Sequence, residues 1–143
     1  MLVLVDKPIW SLALRRALTD LNPSEQLLTS ALKELIRNGR AQLLGPVRQE
    51  LLSAVRQEKT FTELRDYLRA FDDPNLEVAD YEEAAHIHNR CRSRGIAGST
   101  IDFLICAAAI RRDWQIFTSN QDFKHYAQAC PLQLYNVSHT DQQ

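Results

Sequence analysis

The chain opens with Leu2-Val3-Leu4-Val5-Asp6, a short apolar run that ends at a carboxylate. A run of this length without polar alternation is typical of a strand buried on both faces, as in a parallel sheet. Helical patterns separate it from further short runs, and the candidate strands among these lie at residues 41–44, 76–78, 115–118 and 132–137. Strands that alternate with helices predict an α/β fold, with a mostly parallel sheet of about four or five strands and helices on both sides.

The segments between these runs carry the helical spacing of apolar residues. Pro23-Ser24-Glu25 opens one such segment, and Asn38-Gly39 ends it. The predicted helices lie at residues 9–18, 23–37, 47–57, 60–71, 80–92, 99–112 and 120–128. Because 143 residues suit one hydrophobic core, we predict a single domain over residues 1–137, followed by a frayed polar tail at 138–143.

The charge balance restricts the kind of partner that the chain can attract. The formal net charge is −1 at pH 7, so no overall positive field draws in nucleic acid. Any nucleic-acid contact would come from local groups of arginine, whose simpler interpretation is a solvated helix face. These residues are Arg90, Arg92, Arg94, Arg111 and Arg112.

The cysteine usage indicates a reducing compartment. Cys91, Cys106 and Cys130 form no CxxC pair, and their count is odd, so neither a disulfide framework nor a zinc knuckle is expected. The first residues lack the basic start of a signal peptide, and no apolar run is long enough to cross a membrane. We therefore expect a cytoplasmic protein without a membrane partner.

Acidic and amide side chains occur at equivalent places in this α/β plan. Asp6 follows the first strand, Glu50 lies in the helix after the second, and Asp102 lies in the first turn of the apolar helix at 99–112. Asn120 and Asp122 follow the strand at 115–118. The carboxyl ends of parallel strands meet at one edge of the sheet, where ligands bind. Carboxylates gathered there repel one another and need a cation, and oxygen ligands favour Mg²⁺ or Mn²⁺.

Each of these residues also has a purely structural interpretation. Asp102 could complete a capping box by bonding back to the Ser99 amide. The others could cap the helices that follow them, or lie exposed on a helix. These residues occur together at one predicted edge of the sheet, and no single helix cap explains all of their positions. Their grouping therefore favours a functional site.

Other kinds of site find little support. His86 and His88 have an i, i+2 spacing on a predicted helix, so they point to different faces and are not expected to share a metal. Pro8 stands where a phosphatase of the haloacid-dehalogenase type needs a second aspartate. The turn after the first strand lacks the glycines of a dinucleotide-binding fold, and no nucleophile elbow is present.

Four blocks of the chain occur in the order of a known family. They are Leu2-Val3-Leu4-Val5-Asp6 with Trp10, then Val47-Arg48-Gln49-Glu50-Leu51-Leu52, then Gly95-Ile96 with Ile101-Asp102-Phe103-Leu104-Ile105-Cys106-Ala107-Ala108-Ala109, and last Ile116-Phe117-Thr118-Ser119-Asn120-Gln121-Asp122-Phe123. Together they cover nearly the whole chain and resemble the PIN-domain ribonucleases, above all toxins of the VapC type. The resemblance implies a PIN-like three-layer α/β sandwich.

In that family, four acidic positions bind Mg²⁺ or Mn²⁺ and hydrolyse RNA phosphodiester bonds. The resemblance assigns the first three positions to Asp6, Glu50 and Asp102. The fourth falls on Asn120, whose carbonyl oxygen can ligate a metal or hold a water but supplies no charge. Asp122 follows shortly after and could compensate as a further metal ligand.

The resemblance also implies supporting residues and partners. Thr118 matches a family hydroxyl position near the site, whereas Lys7 replaces a small hydroxyl residue and could contact phosphate. The expected activity is a metal-dependent endoribonuclease with an RNA substrate, acting as the toxin of a toxin–antitoxin pair. We expect a homodimer and a cognate antitoxin that buries the acidic site.

Two alternatives remain open at this point. The neutral Asn120 favours a PIN fold that has lost catalysis and binds RNA or protein. A nuclease that cuts DNA or flaps is a weaker option on the same fold.

Overall fold

The apolar run at the start of the chain forms strand β1 (Val3–Val5), whose residues are fully buried. The computed structural model describes residues 1–15 and 18–137. The predicted tail at 138–143, and part of the predicted helix at 9–18, lie outside the described residues. Continuous apolar sequence at β1 reflects burial on both faces of the sheet, as expected for a central parallel strand.

The sheet has four strands in the order β2-β1-β3-β4, where β2 is Ala41–Gln42, β3 is Gln115–Phe117 and β4 is Gln133–Leu134. Every neighbouring pair is parallel. In the central pair, Val5 lies opposite Phe117, so both strands end at the same edge. The prediction of a mostly parallel α/β sheet is therefore confirmed.

The helices occupy the segments between these strands, within a few residues of the predicted bounds. They are α1 (Lys7–Arg15), α2 (Pro23–Arg37), α3 (Gly45–Ser53), α4 (Glu58–Leu68), α5 (Val78–Ser93), α6 (Thr100–Arg112) and α7 (Asp122–Tyr126), with a short 3-10 helix at Leu18–Asp20. No helix in the described part of the chain is long and apolar enough to cross a membrane.

The predicted strand at residues 76–78 is wrong. Val78 is already the first residue of α5, and Leu76 pairs with no strand but packs its side chain on the core. Glu77 is the N-cap residue of α5: the Asp80 N–H donates to its backbone carbonyl at 3.0 Å, and the Asp80 carboxylate accepts from its N–H at 2.7 Å. Leu76 thus contacts the core without joining the sheet, whereas Val78 is exposed in the first turn of the helix.

The connections place helices on both faces of the sheet. The chain runs from β1 outward to β2 through α1 and α2, and then returns past β1 to β3 through α3 to α6. Right-handed crossovers that run in opposite directions lie on opposite faces. The direction changes between β1 and β3, which makes the carboxyl ends of these two strands the topological switch point, where open α/β sheets bind ligands.

The cysteines and the arginine groups are used inside the fold. All three cysteines are free and buried, and Cys106 belongs to the core as predicted.

Arg111 and Arg112 both bind the buried carboxylate of Asp80, at 2.6 and 2.8 Å. Arg90 donates to the carbonyl of Ala129, and Arg94 donates to that of Gln128. These side chains therefore join elements of the fold and do not form a free basic patch.

Candidate functional site

Asp6 lies at the switch point with both carboxylate oxygens engaged. The residue is 5% exposed. Its Oδ1 accepts from the Lys7 backbone N–H at 2.8 Å, and its Oδ2 accepts from the Thr118 hydroxyl at 2.8 Å. The Asp6 N–H donates to the Phe117 carbonyl at 2.9 Å, which fixes the residue between the ends of β1 and β3. Asp6 thus binds the start of α1, but its side chain also reaches across to another strand.

Burial raises the pKa of the Asp6 carboxyl above its ordinary value, and the hydrogen bonds from Thr118 and Lys7 partly oppose this shift. The negative charges of Asp102 and Glu50 raise that pKa further. Three carboxylates from separate segments of the chain therefore share one electrostatic environment, as the sequence predicts for the edge of the sheet. Asp102 and Glu50 are half-buried, whereas Asp6 is the most enclosed of the three.

The Asp102 carboxylate is bound by Tyr126, a residue that the sequence did not predict for this site. The Ser99 hydroxyl oxygen accepts from the Asp102 backbone N–H at 3.1 Å and caps α6. The predicted return bond from the Asp102 carboxylate to the Ser99 amide is absent from the described contacts, because Oδ2 accepts instead from the Tyr126 hydroxyl at 2.7 Å. Burial, followed by the bond to Asp102, raises the pKa of Tyr126 well above its usual range, so this phenol remains a donor.

A sequence signal for Tyr126 exists but is weak. The residue closes α7, the short helix that follows the polar segment after β3. Tyr126 lies four residues after Asp122, so the two residues are on the same face of α7. An aromatic residue at such a position is usually part of the core. Only the tertiary structure brings it to Asp102, a residue 24 positions earlier in the chain.

Thr118, Asn120 and Asp122 form a connected turn after β3. The Thr118 hydroxyl oxygen accepts from the Asn120 N–H at 3.0 Å, and the Asn120 Oδ1 accepts from the Asp122 N–H at 3.0 Å. The Asn120 side chain therefore closes a turn just before α7, whose N-cap residue is Gln121, and its carbonyl oxygen retains a second lone pair. Asp122 is exposed, and its charge contributes to the raised pKa of Tyr126.

A cleft of about 390 Å³ adjoins the acidic residues. Its lining comprises Lys7, Pro46, Gln49, Glu50, Ser53, Ala54 and Ile101. Glu50 belongs to both the cleft and the group of carboxylates, and Lys7 supplies a cationic side chain. The cleft is thus a mixed polar and apolar surface that carries one acidic residue, Glu50, and one basic residue, Lys7.

The donors at this edge suit a hard cation. Carboxylate, hydroxyl and amide oxygens are the ligands that Mg²⁺ and Mn²⁺ prefer. Burial is the main cause of the raised pKa of Asp6, and the negative charges of Asp102 and Glu50 add to it. Among residues 1–15 and 18–137, no three histidine, cysteine or acidic side chains are close enough to hold one metal ion together. The oxygen donors suit the cation chemically, and these side chains would have to lie closer together to ligate it jointly.

The histidine pair lies apart from this group. The His88 ring stacks on Phe103 with centroids 4.7 Å apart. His86 lines a different cleft, of about 350 Å³, with Glu82, Glu83 and Arg111. The two rings thus have separate surroundings, which agrees with their i, i+2 spacing.

The fold and the acidic edge together define a class: an α/β protein whose carboxylates gather at the switch point of a parallel sheet. Within that class, residues 10–129 match the PIN domain. The chain therefore belongs to the PIN-domain family.

Solved structures share this fold at low sequence identity. FitAcB from Neisseria gonorrhoeae superposes with a TM-score of 0.75 at 18% identity, over 96% of this chain and 99% of that chain. VapBC2 from Rickettsia felis, bound to a DNA fragment from their promoter, gives 0.72 at 17% identity, over 96% and 100%. VapBC-1 from nontypeable Haemophilus influenzae gives 0.67 at 14% identity, over 96% and 98%. A comparison with curated proteins finds no significant sequence match.

Proposed function

We propose that this PIN domain is a Mg²⁺- or Mn²⁺-dependent endoribonuclease that hydrolyses RNA phosphodiester bonds. One observation carries the proposal. Burial at the switch point raises the pKa of Asp6, and the charges of Asp102 and Glu50 add to this shift. A fold keeps mutually repelling carboxylates at a ligand-binding edge at a cost in stability, which a bound cation would offset.

We propose a role for each residue at this edge. Asp6, Glu50 and Asp102 would hold the cation, and Asn120 or Asp122 would add an oxygen ligand. When bound, the cation would supply the positive charge that lowers the pKa of water and neutralises charge on the phosphate. Thr118 orients Asp6 through the bond to Oδ2, at 2.8 Å.

Lys7 would bind the substrate rather than the cation. Its backbone N–H fixes Asp6, while its side chain lines the cleft beside Glu50. A lysine ammonium at that place would contact an RNA phosphate next to the bond that is cut. The net charge of −1 makes such a local contact necessary, because no general field attracts RNA.

Cleavage of RNA by the purified protein tests the proposal. Varied RNAs are incubated with Mn²⁺ or with chelator, beside Asp6→Ala and the matched surface variant Asp66→Ala, whose side chain is 59% exposed. We expect cleavage that needs Mn²⁺ and falls at least about 100-fold in Asp6→Ala, but stays unchanged in Asp66→Ala. Cleavage that ignores both the chelator and Asp6→Ala would overturn the proposal.

We further propose a toxin–antitoxin setting in the cytoplasm, with a homodimer and a cognate antitoxin that covers the acidic site. Support comes from the sequence motifs, which resemble VapC-type toxins, and from the shared fold with VapBC2 and VapBC-1. Expression in a bacterial host should arrest growth, whereas Asp6→Ala should not. Equal growth arrest by both proteins would contradict this setting.

One observation favours a second candidate, a PIN fold that binds RNA or protein without cutting. The fourth acidic position is the neutral Asn120, whose Oδ1 already accepts from Asp122. RNA binding without cleavage at saturating Mn²⁺ would support this candidate over the nuclease.

A further inference from the structure

The phenol of Tyr126 is the direct neighbour of the acidic site. Tyr126 is fully buried at the end of α7 and donates its O–H to Oδ2 of Asp102 at 2.7 Å. Among the described residues, this is the only hydrogen bond that the Asp102 carboxylate accepts, so its Oδ1 accepts none. One oxygen of the carboxylate is thus fixed, and the other remains available.

Packing fixes the phenol itself. The Tyr126 ring lies 5.1 Å from the ring of Phe103 and 5.1 Å from that of Phe123, at interplanar angles of 56° and 71°. The Tyr126 carbonyl accepts from the thiol of Cys130 at 3.3 Å. With ring contacts on two sides and no exposure to solvent, the hydroxyl has little freedom to leave Asp102.

Gly98 provides the space that this arrangement needs. A Cβ at Gly98 would lie 2.7 Å from both Cε1 and the hydroxyl of Tyr126, and 2.6 Å from Cζ of Phe103. Real Cβ atoms essentially never make contacts that short, so a larger residue would displace the ring. The requirement at Gly98 is space, since the glycines with a positive φ are Gly39 and Gly95. The loop before α6 therefore approaches the phenol closely because it carries glycine there.

From these contacts we infer that Tyr126 is a positioning residue for Asp102, holding Oδ2 so that Oδ1 is presented as a cation ligand. Carboxylates that ligate metals are commonly oriented by a hydrogen bond of this kind. A neutral phenol orients the carboxylate without cancelling its charge, which an arginine in the same place would do. The inference rests on the proposed function, because it gives Asp102 the role of a ligand.

The affinity for Mn²⁺, measured by isothermal titration calorimetry on metal-free protein, separates this role from simple packing. Tyr126→Phe keeps the ring and removes only the hydroxyl. Tyr135→Phe is the matched control, because the Tyr135 ring packs on Phe117, at 5.1 Å, on the neighbouring strand. We expect Tyr126→Phe to weaken Mn²⁺ binding by about 10- to 100-fold, and Tyr135→Phe to leave it within about twofold. Unchanged affinity in Tyr126→Phe would overturn the inference.

Gly98→Ala provides an independent variant that leaves the tyrosine in place. Alone, it should weaken Mn²⁺ binding as Tyr126→Phe does, because the added methyl group displaces the hydroxyl. In the Tyr126→Phe background it should add little, since the hydrogen bond is already gone. Full additivity of the two losses would show that Gly98 acts by another route and would refute its link to the phenol.

The result for the wild-type protein distinguishes the two proposals. If it binds Mn²⁺ and cuts RNA while Tyr126→Phe binds Mn²⁺ equally well, the positioning role fails and the nuclease stands. If it binds no Mn²⁺, the proposed function fails and the positioning role fails with it.

Discussion

Replacing Asp80 with asparagine should destabilise the fold strongly without touching the acidic site. Asp80 is fully buried between α5 and α6. Its carboxylate accepts four hydrogen bonds: one from Arg111 at 2.6 Å, two from Arg112 at 2.8 and 2.9 Å, and one from the Glu77 N–H at 2.7 Å. An asparagine has the same shape, but in either orientation its amide nitrogen faces two of these donors.

The magnitude follows from the bonds that are lost. Two of the four hydrogen bonds disappear, and each bond to a charged group contributes about 1.5 kcal/mol or more, so the loss is at least about 3 kcal/mol. The charge left on Arg112 places the total within the range of about 3–5 kcal/mol for breaking a buried ion pair. For a chain of this size, that corresponds to a fall in Tm of roughly 10–15 °C.

Urea unfolding at pH 7, with thermal unfolding beside it, measures this effect. Asp66→Asn is the matched control, because Asp66 pairs with Arg65 at 3.1 Å on an exposed surface, and its loss should change stability by less than about 0.5 kcal/mol. An Asp80→Asn protein within about 1 kcal/mol of the wild type would refute the reasoning.

The pH dependence of the same pair gives a second check on Asp80. The bonds from Arg112, opposed by burial and aided by those from Glu77 and Arg111, hold the pKa of the Asp80 carboxyl well below its usual range. A carboxyl group whose pKa is lowered by folding contributes stability at pH values above its unfolded pKa, which is about 4. This contribution is lost as the pH falls below that value. The difference between wild type and Asp80→Asn should therefore shrink below about pH 4.

Three further predictions concern the acidic edge. The pKa of Asp6 is raised in the folded state, so its ionised form disfavours folding at pH 7. Asp6→Asn should therefore increase the free energy of unfolding by about 1 kcal/mol, measured by urea titration in metal-free buffer. A decrease would contradict the expected sign. Asn120→Asp adds a fourth charge and should tighten Mn²⁺ binding by about 10-fold in calorimetry, whereas weaker binding would exclude position 120 from the ligand set. Lys7→Ala should raise the KM for RNA by about 10-fold with a smaller change in kcat, and an unchanged KM would remove Lys7 from the substrate surface.

The centre of the sheet was predictable because β1 and most of β3 are buried. Continuous apolar runs identify β1 and β3, and the rule for parallel strands places their carboxyl ends together. The strand prediction fails at residues 76–78, where Leu76-Glu77-Val78 has no neighbouring strand to pair with. Strand formation depends on a partner distant in sequence, which local composition does not report.

The candidate site was predictable in its residues but not in its contacts. Asp6, Glu50 and Asp102 follow from their places after strands and at a helix start. The partner of Asp102 does not, since Ser99 is a local cap while Tyr126 comes from a later helix. Local spacing predicts caps, whereas packing against the core decides where a carboxylate finds its second donor.

The anomalous scattering of Mn²⁺ in crystals soaked with that ion tests the central claim most directly. We expect a Mn²⁺ peak at the ends of β1 and β3, with carboxylate oxygens of Asp6, Asp102 and Glu50 about 2.1 Å from it. A peak elsewhere on the protein, or none at this edge at saturating Mn²⁺, would contradict the claim that these three carboxylates form a metal site.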